Sequence, residues 1–519
     1  MAGAFFKSKH RATVFRAEPA PRAVFWEEQE VNQAGALMRD KVVRWEVMQG
    51  SYSLAFISVF LFTAALYIRP TELFPTIFEA YPIQFAKIFA VTAPLIFFFS
   101  RIIGSQDVFL WTKELKLAFF ILGLAILFWP LSIDPSGTWK ELNELYIKVI
   151  LIFGLLIGTL DSRERIYWMM RLTVLVGGGI AFDLLMKFDP GQGKLNLAKE
   201  RVEGAVGGMF NNPNDLATHF GMLLPLAVVL FFVSKTPFRY VYAAIAVVFM
   251  LATLVTFSRG GLLGMVAVAG VMMWKFRKRH KAIPFVAGGL LTVVFFLGAP
   301  GGLGDRLWTI LRPNSDGTGS AQERRDNLKR GVMQFIRHPL NGIGMGSFHI
   351  IGIKERRAHN SYLEVATELG AFGLMAYLLL IFAPLKGLRR IEQETLSAKD
   401  RLNFENYLMS VALQGTLVAY YVNSFFLSIQ YLWFVYFPIA YAVGLRRIYE
   451  REQELRAAVD APPELAALHI GDELRGKLWQ VRQKRPPVTV PALEPETEED
   501  AMALTLERHR YQTDSPRTD

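Results

Sequence analysis

Long apolar runs recur along the chain, at about 53–68, 83–100, 115–133, 145–160, 166–186, 216–234, 240–257, 260–274, 283–298, 362–385, 407–427 and 430–445. Each approaches the roughly 17–25 residues with which a helix crosses a bilayer, so the pattern predicts about twelve transmembrane helices. The runs at 260–274 and 430–445 are short, and a count of about ten or eleven also fits. Between the ninth and tenth runs lies a polar segment, 299–360, unlike any other loop between apolar runs. It carries Arg306, Arg312, Arg324, Arg325, Lys329, Arg330, Arg337, Lys354, Arg356 and Arg357 against five acids, and ends in His359-Asn360. The expected architecture is an all-α polytopic membrane protein. It has a polar N-terminal segment (1–50), helices 1–9 (51–298), a large helical loop (299–360), helices 10–12 (361–445) and a polar tail (446–519).

The distribution of Lys and Arg in short loops sets the orientation. Arg101/Lys113/Lys116, Arg163/Arg165/Arg171, Lys235/Arg239, the run from Lys275 to Lys281, and Lys386/Arg389/Arg390 fall in every second loop. The alternate loops, such as 69–82 and 134–144, are poor in base. More Lys and Arg lie before the first run and after Leu445, so both termini are expected on the cytoplasmic side. The segment 299–360 then faces outward, since long loops cross largely regardless of charge.

Composition agrees with this picture. Of 519 residues 52% are hydrophobic, 41 of them Phe, which excludes a soluble globular chain. The first fifty residues are polar and show no cleavable signal peptide. The absence of cysteine excludes disulfides, thiol nucleophiles and thiolate metal sites. A net charge of +11 reads as topology and affinity for anionic headgroups, not as nucleic-acid binding. The tail begins as a charged helix and turns Pro/Glu-rich between Arg485 and Asp500, predicting disorder. Residues 24–48 suggest a weak interfacial helix with Phe25 and Trp26 toward lipid.

Three outward places carry candidate chemistry. Ser258-Arg259-Gly260-Gly261 is a bare turn before a helix. Its exposed N–H groups and arginine suit an anion, although an arginine there can also simply snorkel to the headgroups. The second is a helix over about 321–337, started by the capping box Ser320-x-x-Glu323. Its apolar stripe is Leu328, Val332, Phe335 and Ile336, with Arg324 and Arg325 at the borders and Arg330 and Arg337 pointing away. Cations in a helix's first turn oppose its dipole, which suggests an anionic ligand; a charged helix lying on the membrane is the plainer account. The third is His359-Asn360-Ser361, before a helix whose own capping box reads as Ser361-x-x-Glu364. The helix N-terminus, Arg356 and Arg357 favour a neutral imidazole there, able to accept a proton from a hydroxyl. There is no P-loop, no dinucleotide fingerprint, and no outward His-rich or paired acidic motif for a metal.

In order along the chain, four pieces resemble the O-antigen ligase / O-antigen polymerase (Wzy-C) superfamily of bacterial envelope glycosyltransferases. They are Gly208-Met209-Phe210-Asn211-Asn212-Pro213-Asn214, then Ser258-Arg259-Gly260-Gly261, then Arg324 with Arg337-His338-Pro339-Leu340-Asn341-Gly342-Ile343-Gly344-Met345-Gly346. The fourth is His359-Asn360 followed after nine residues by Gly370-Ala371-Phe372-Gly373. The resemblance implies a GT-C-like fold and en bloc transfer of a glycan from undecaprenyl diphosphate to an acceptor hydroxyl. The transfer would occur on the periplasmic side of the inner membrane, without metal, ATP or other cofactor. Carried over, Arg259 and Arg324 hold the diphosphate, with Arg325 the alternative contact, and His359 is the base. The family often has Trp four residues after its loop arginine; Leu328 stands there, which favours Arg324 and departs from the pattern. The glycines from Gly342 to Gly346 would let the loop backbone approach the carrier, or else form a turn. The implied partners are the lipid-linked glycan donor, a lipid, protein or glycan acceptor, and membrane lipids, with no nucleic acid.

Ligase and polymerase share this machinery, and the histidine signature tilts the reading toward ligase. A lipid-linked sugar transporter would place charges deep within its helices. Lys87 and Asp183 lie near the ends of theirs, which disfavours it.

Overall fold

The computed structural model describes residues 54–69, 85–103, 110–188, 212–235, 237–279, 320–398 and 400–460. Expectations for 1–50, for Gly208–Asn211, for the run at 283–298, for Arg306 and Arg312, and for the tail beyond 460 lie outside these residues. Met1–Glu454 forms one compact unit and Leu455–Asp519 a second. The description below concerns the first.

Among the described residues the regular elements are helical, with no strand. They are α1 (Leu54–Ile68), α2 (Phe85–Ile103), α3 (Lys113–Phe128), α4 (Pro135–Glu141), α5 (Ile147–Thr159), α6 (Arg163–Met186) and α7 (Pro213–Val233). Then follow α8 (Phe238–Val255), α9 (Arg259–Phe276), α10 (Ser320–Arg337), the single turn α11 (Phe348–Ile351), α12 (Ser361–Thr395), α13 (Arg401–Asn423) and α14 (Tyr436–Asp460).

Among the described residues six stretches are long and apolar enough to cross a membrane: Lys113–Leu131, Pro135–Thr159, Arg163–Met186, Pro213–Val233, Phe238–Val255 and Ser361–Thr395. Shorter apolar helices lie at Leu54–Ile68 and Ile88–Ile103. This is an all-α, multi-pass membrane protein; among the described residues six spans meet both criteria, while the expected run at 283–298 lies outside them. Several predicted runs fall short for a visible reason. Glycines and the terminal Arg259 and Lys275 dilute α9, while α13 buries Glu405, Asn406 and Gln414.

The predicted loop 134–144 is helical instead. Asp134 accepts from the Gly137 amide at 3.0 Å and Pro135 opens the first turn, a strong helix start. A π turn at Leu142–Tyr146 then joins α4 to α5.

At one end of the bundle, buried ion pairs fasten the helices. Arg163 pairs with Glu452, whose other oxygen accepts from Asn406 at 2.7 Å. Lys275 pairs with Glu392, which also accepts from Gln414 at 2.9 Å. Arg446 holds Glu114 through two bonds of 2.8 and 3.1 Å. Removing one partner of such a pair typically costs about 3–5 kcal/mol.

At the other end, α12 is not one continuous helix. Gly370 adopts φ 68°, ψ −167°, a conformation open essentially to glycine alone. The break releases carbonyls, and the segment after α10 takes them. Ile343 N–H donates to Thr367 O and Gly344 N–H to Glu368 O, both at 3.0 Å, while Ala371 N–H donates back to Pro339 O at 2.7 Å. A Cβ on Gly370 would lie 2.5 Å from Leu340 O, and one on Gly342 (φ +66°) 2.6 Å from Leu369 N. The other side of this segment rests on the start of α4, where Ser132 Oγ donates to Ile343 O at 3.0 Å and Thr138 Oγ1 lies 3.1 Å from Ser347 Oγ. Gly342 and Gly344 are buried and docked on the protein's own helix, so a free turn there is excluded.

Candidate active site at the start of the broken helix

His359 stands two residues before α12, at φ +53°, a strained backbone for a residue with a side chain. Long-range bonds hold it there. Its N–H donates to Ser428 Oγ at 3.0 Å, and that hydroxyl donates to Glu364. Glu364 also accepts from the neighbouring Ala358 N–H at 2.7 Å and from Gln430 Nε2 at 2.6 Å. The helix cap differs from expectation. Asn360, not Ser361, is the N-cap, accepting from Leu363 N–H at 3.0 Å. Ser361 Oγ is drawn instead to Leu427 O at 2.7 Å and accepts from Ile429 N–H at 3.0 Å. Distant partners outcompete the local capping box, and they lock segment 424–430 against the histidine.

Burial, then the charges of Arg324, Arg356 and Arg357, push the His359 imidazole down to about 4, with Glu323 opposing. At neutral pH the ring is uncharged and one nitrogen can accept a proton.

Arg324 is half-buried on α10, close enough for its charge to act on His359. Arg325 is exposed. The expected packing of α10 is reversed. Leu328, Val332 and Ile336 are exposed, and the helix docks through Asn327 and Gly331. Asn327 Oδ1 accepts from Ile353 N–H at 2.9 Å, and a Cβ on Gly331 would sit 2.8 Å from Leu363 Cδ2. The absent side chain allows an approach that an aliphatic stripe does not. Glu323, expected to cap the helix start, instead binds Lys354 at 2.6 Å and Arg356 at 2.7 Å. Arg330 donates to Ile351 O at 2.9 Å, and Arg337 is exposed.

Arg259 is the first residue of α9. Its predecessor Ser258 caps the helix, accepting from Gly261 N–H at 3.2 Å and donating to Asn214 Oδ1 at 2.9 Å. Asn212 in turn caps α7, accepting from Asn214 N–H at 2.9 Å. Gly261 is flush against Ala217, and a Cβ on Gly260 would lie 3.1 Å from Phe426 Cβ. The start of α9 thus meets the same 424–430 segment that holds His359, and the start of α7 packs on α9. Arg324 lies within electrostatic reach of His359, Arg259 adjoins the shared segment through Gly260, and Arg325 is exposed.

Sequence reasoning missed a charge cluster beside the histidine, with Glu364 and Glu368 buried and Arg357 and Glu141 half-buried. Burial disfavours the Arg357 guanidinium, but Glu364, Glu141 and Glu368 outweigh it and hold its pKa above the ordinary value. Arg357 Nη2 donates to Glu141 Oε1 at 3.2 Å, and Asp215 feels its charge as well. Glu368 Oε1 accepts from Phe348 N–H at 3.0 Å. The signal was present: Glu364 and Glu368, four apart, share one face of α12 in an otherwise apolar stretch. Among the described residues no group of three His, Asp or Glu side chains is arranged to hold a metal ion.

The family model described as O-antigen ligase matches residues 243–378. That range holds Arg259, Arg324, His359 and the break at Gly370. No curated protein matches the chain.

Proposed function

On the match of residues 243–378 to the O-antigen ligase family model, we propose that the chain is an inverting, metal-independent ligase of that superfamily. It transfers a glycan en bloc from undecaprenyl diphosphate to an acceptor hydroxyl at the periplasmic face of the bacterial inner membrane. What supports the reading most is a neutral, backbone-fixed His359 beside the half-buried cation Arg324. In the step, His359 takes the proton of the acceptor hydroxyl. The acceptor oxygen bonds to the anomeric carbon on the face opposite the diphosphate. The carbon–oxygen bond to the diphosphate breaks, and its electron pair leaves with the diphosphate. Arg259 and Arg324 stabilise that growing charge, and guanidinium forks match phosphate oxygens. Removing either should cost on the order of 10²–10³ in rate, whereas exposed Arg325 should matter far less.

The test supplies purified protein with lipid-diphosphate-linked glycan and candidate acceptors in EDTA. Polyprenyl diphosphate should be released with transfer to lipid or protein, and His359→Ala should bind donor without transferring it. Transfer only to a second lipid-linked glycan would make the protein a polymerase. A strict need for divalent metal, or normal turnover by His359→Ala, would refute the mechanism.

A further inference from the structure

The exposed stripe on α10 has no use in the chemistry above. Leu328, Val332 and Ile336 recur at four-residue spacing, Ile336 is 65% exposed, and Leu340 continues the line at 58%. No described residue covers them. The stripe does not end in water. Pro339 accepts from Ala371 N–H at 2.7 Å, which sets Leu340 beside the start of the second half of α12. There Phe372, Met375, Leu379 and Phe382 are all exposed at helical spacing on a helix apolar and long enough to span a membrane. A lipid-facing stripe on α12 therefore runs on into the stripe of α10.

The charges around it point the same way. Arg325, Lys329 and Arg337 are exposed and form no ion pair among the described residues. Apolar side chains flanked by unpaired cations are the composition of a helix lying in an anionic lipid interface.

We infer that α10 is an interfacial helix, with Leu328, Val332, Ile336 and Leu340 in the lipid leaflet at the His359 end and Arg325 and Lys329 among anionic headgroups. This arrangement holds Arg324, on the same helix, at the depth of lipid phosphates.

The absence of cysteine makes the test direct. Single variants Leu328→Cys, Val332→Cys, Ile336→Cys and, as a control, Gln322→Cys are labelled with bimane and placed in phosphatidylcholine vesicles with and without phosphatidylglycerol. Nitroxide-labelled lipid bearing its spin label just below the headgroup is the quencher. The first three labels should be quenched, the control should not, and quenching should rise with phosphatidylglycerol. Replacing Arg325 and Lys329 with glutamine should weaken insertion by roughly five-fold per charge. Labels shielded from lipid, as they would be if residues 299–319 or a second protein cover the stripe, would overturn the inference. So would equal quenching at all four sites. Circular dichroism of each variant separates misfolding from loss of insertion.

Discussion

Glu364→Gln is the most telling perturbation of this site, because the carboxylate never needs to touch substrate. Glu364 is fully buried and accepts from Ala358 N–H, Ser428 Oγ and Gln430 Nε2. Glutamine has nearly the same shape but keeps only one acceptor oxygen. Ala358 and Ser428 share one oxygen of the carboxylate and Gln430 uses the other, so in either orientation at least one donor faces an amide N–H instead. One buried unsatisfied donor costs about 1–3 kcal/mol. The site can escape that cost by releasing Ser428, and with it the 3.0 Å bond that keeps His359 at φ +53°. A shift of the base by about 1 Å costs on the order of 10² in rate. The expected result is therefore a kcat lowered roughly a hundred-fold with donor KM little changed, since Arg259 and Arg324 are untouched. Initial rates of polyprenyl diphosphate release, with acceptor saturating, measure it. The acid limb of the pH profile should also move, because a displaced imidazole leaves its buried, cation-lined position. A general loss of fold would lower the fraction of active enzyme without moving that limb. Wild-type turnover in Glu364→Gln would refute the idea that this carboxylate positions the histidine.

Three further predictions concern the same end of the molecule. The acid limb of kcat/KM should lie near pH 4 rather than at the ordinary histidine value of 6.5, and a limb near 6.5 would remove His359 as a buried base. The same shift bears on stability: the folded state keeps the ring neutral while the unfolded chain protonates it, so up to ~3 kcal/mol present above pH 6.5 is lost as pH falls to about 4, seen by thermal unfolding in detergent across that range. Gly370→Ala should destabilise by about 1–3 kcal/mol from backbone strain alone, and more from the 2.5 Å approach to Leu340 O, so a Tm equal to wild type would show that the break in α12 is not required.

Much of the helical framework was legible from hydropathy, since apolar runs of bilayer length mark their own positions. What eluded the sequence was decided by partners far along the chain. The periodicity of α10 was visible, but not which face packs; Gly331 and Asn327 won because close approach and a backbone bond to Ile353 outweigh an aliphatic stripe that lipid can cover. Both capping boxes had the right residues, and both lost them: Glu323 to Lys354 and Arg356, Ser361 to the 427–429 backbone. Gly370 sat inside an apolar run and looked like ordinary helix, because only the arriving amides of Ile343 and Gly344 make a break favourable. His359, Arg324 and Arg259 could be named as candidates because their chemistry is local to a residue and the family motifs mark their positions. Of the cluster around Arg357 only the Glu364–Glu368 pair shows in the sequence, because the other carboxylates come from α4 and α7 and join it only in the fold.

The way the two ends of the bundle are joined explains why so much buried charge sits far from His359. Arg259 opens α9 while His359 stands just before α12, so their spacing depends on how α9 packs beside α12 and α13. Arg259 opens α9, and Lys275, sixteen residues on, closes it on Glu392 of α12. At 1.5 Å per residue that tie lies about 24 Å from the arginine, too far to act on a substrate electrostatically. It acts instead as an anchor against sliding. Along the length between, Gly264 lies directly against Asn423 and a Cβ on Gly415 would lie 3.4 Å from Met272 Cγ, so α9 and α13 are in close contact. A helix clamped at its far end and closely packed along its side cannot slide without breaking a buried ion pair. The register of Arg259 against the segment that carries Ser428, and through it His359, is thereby set by residues that no substrate reaches.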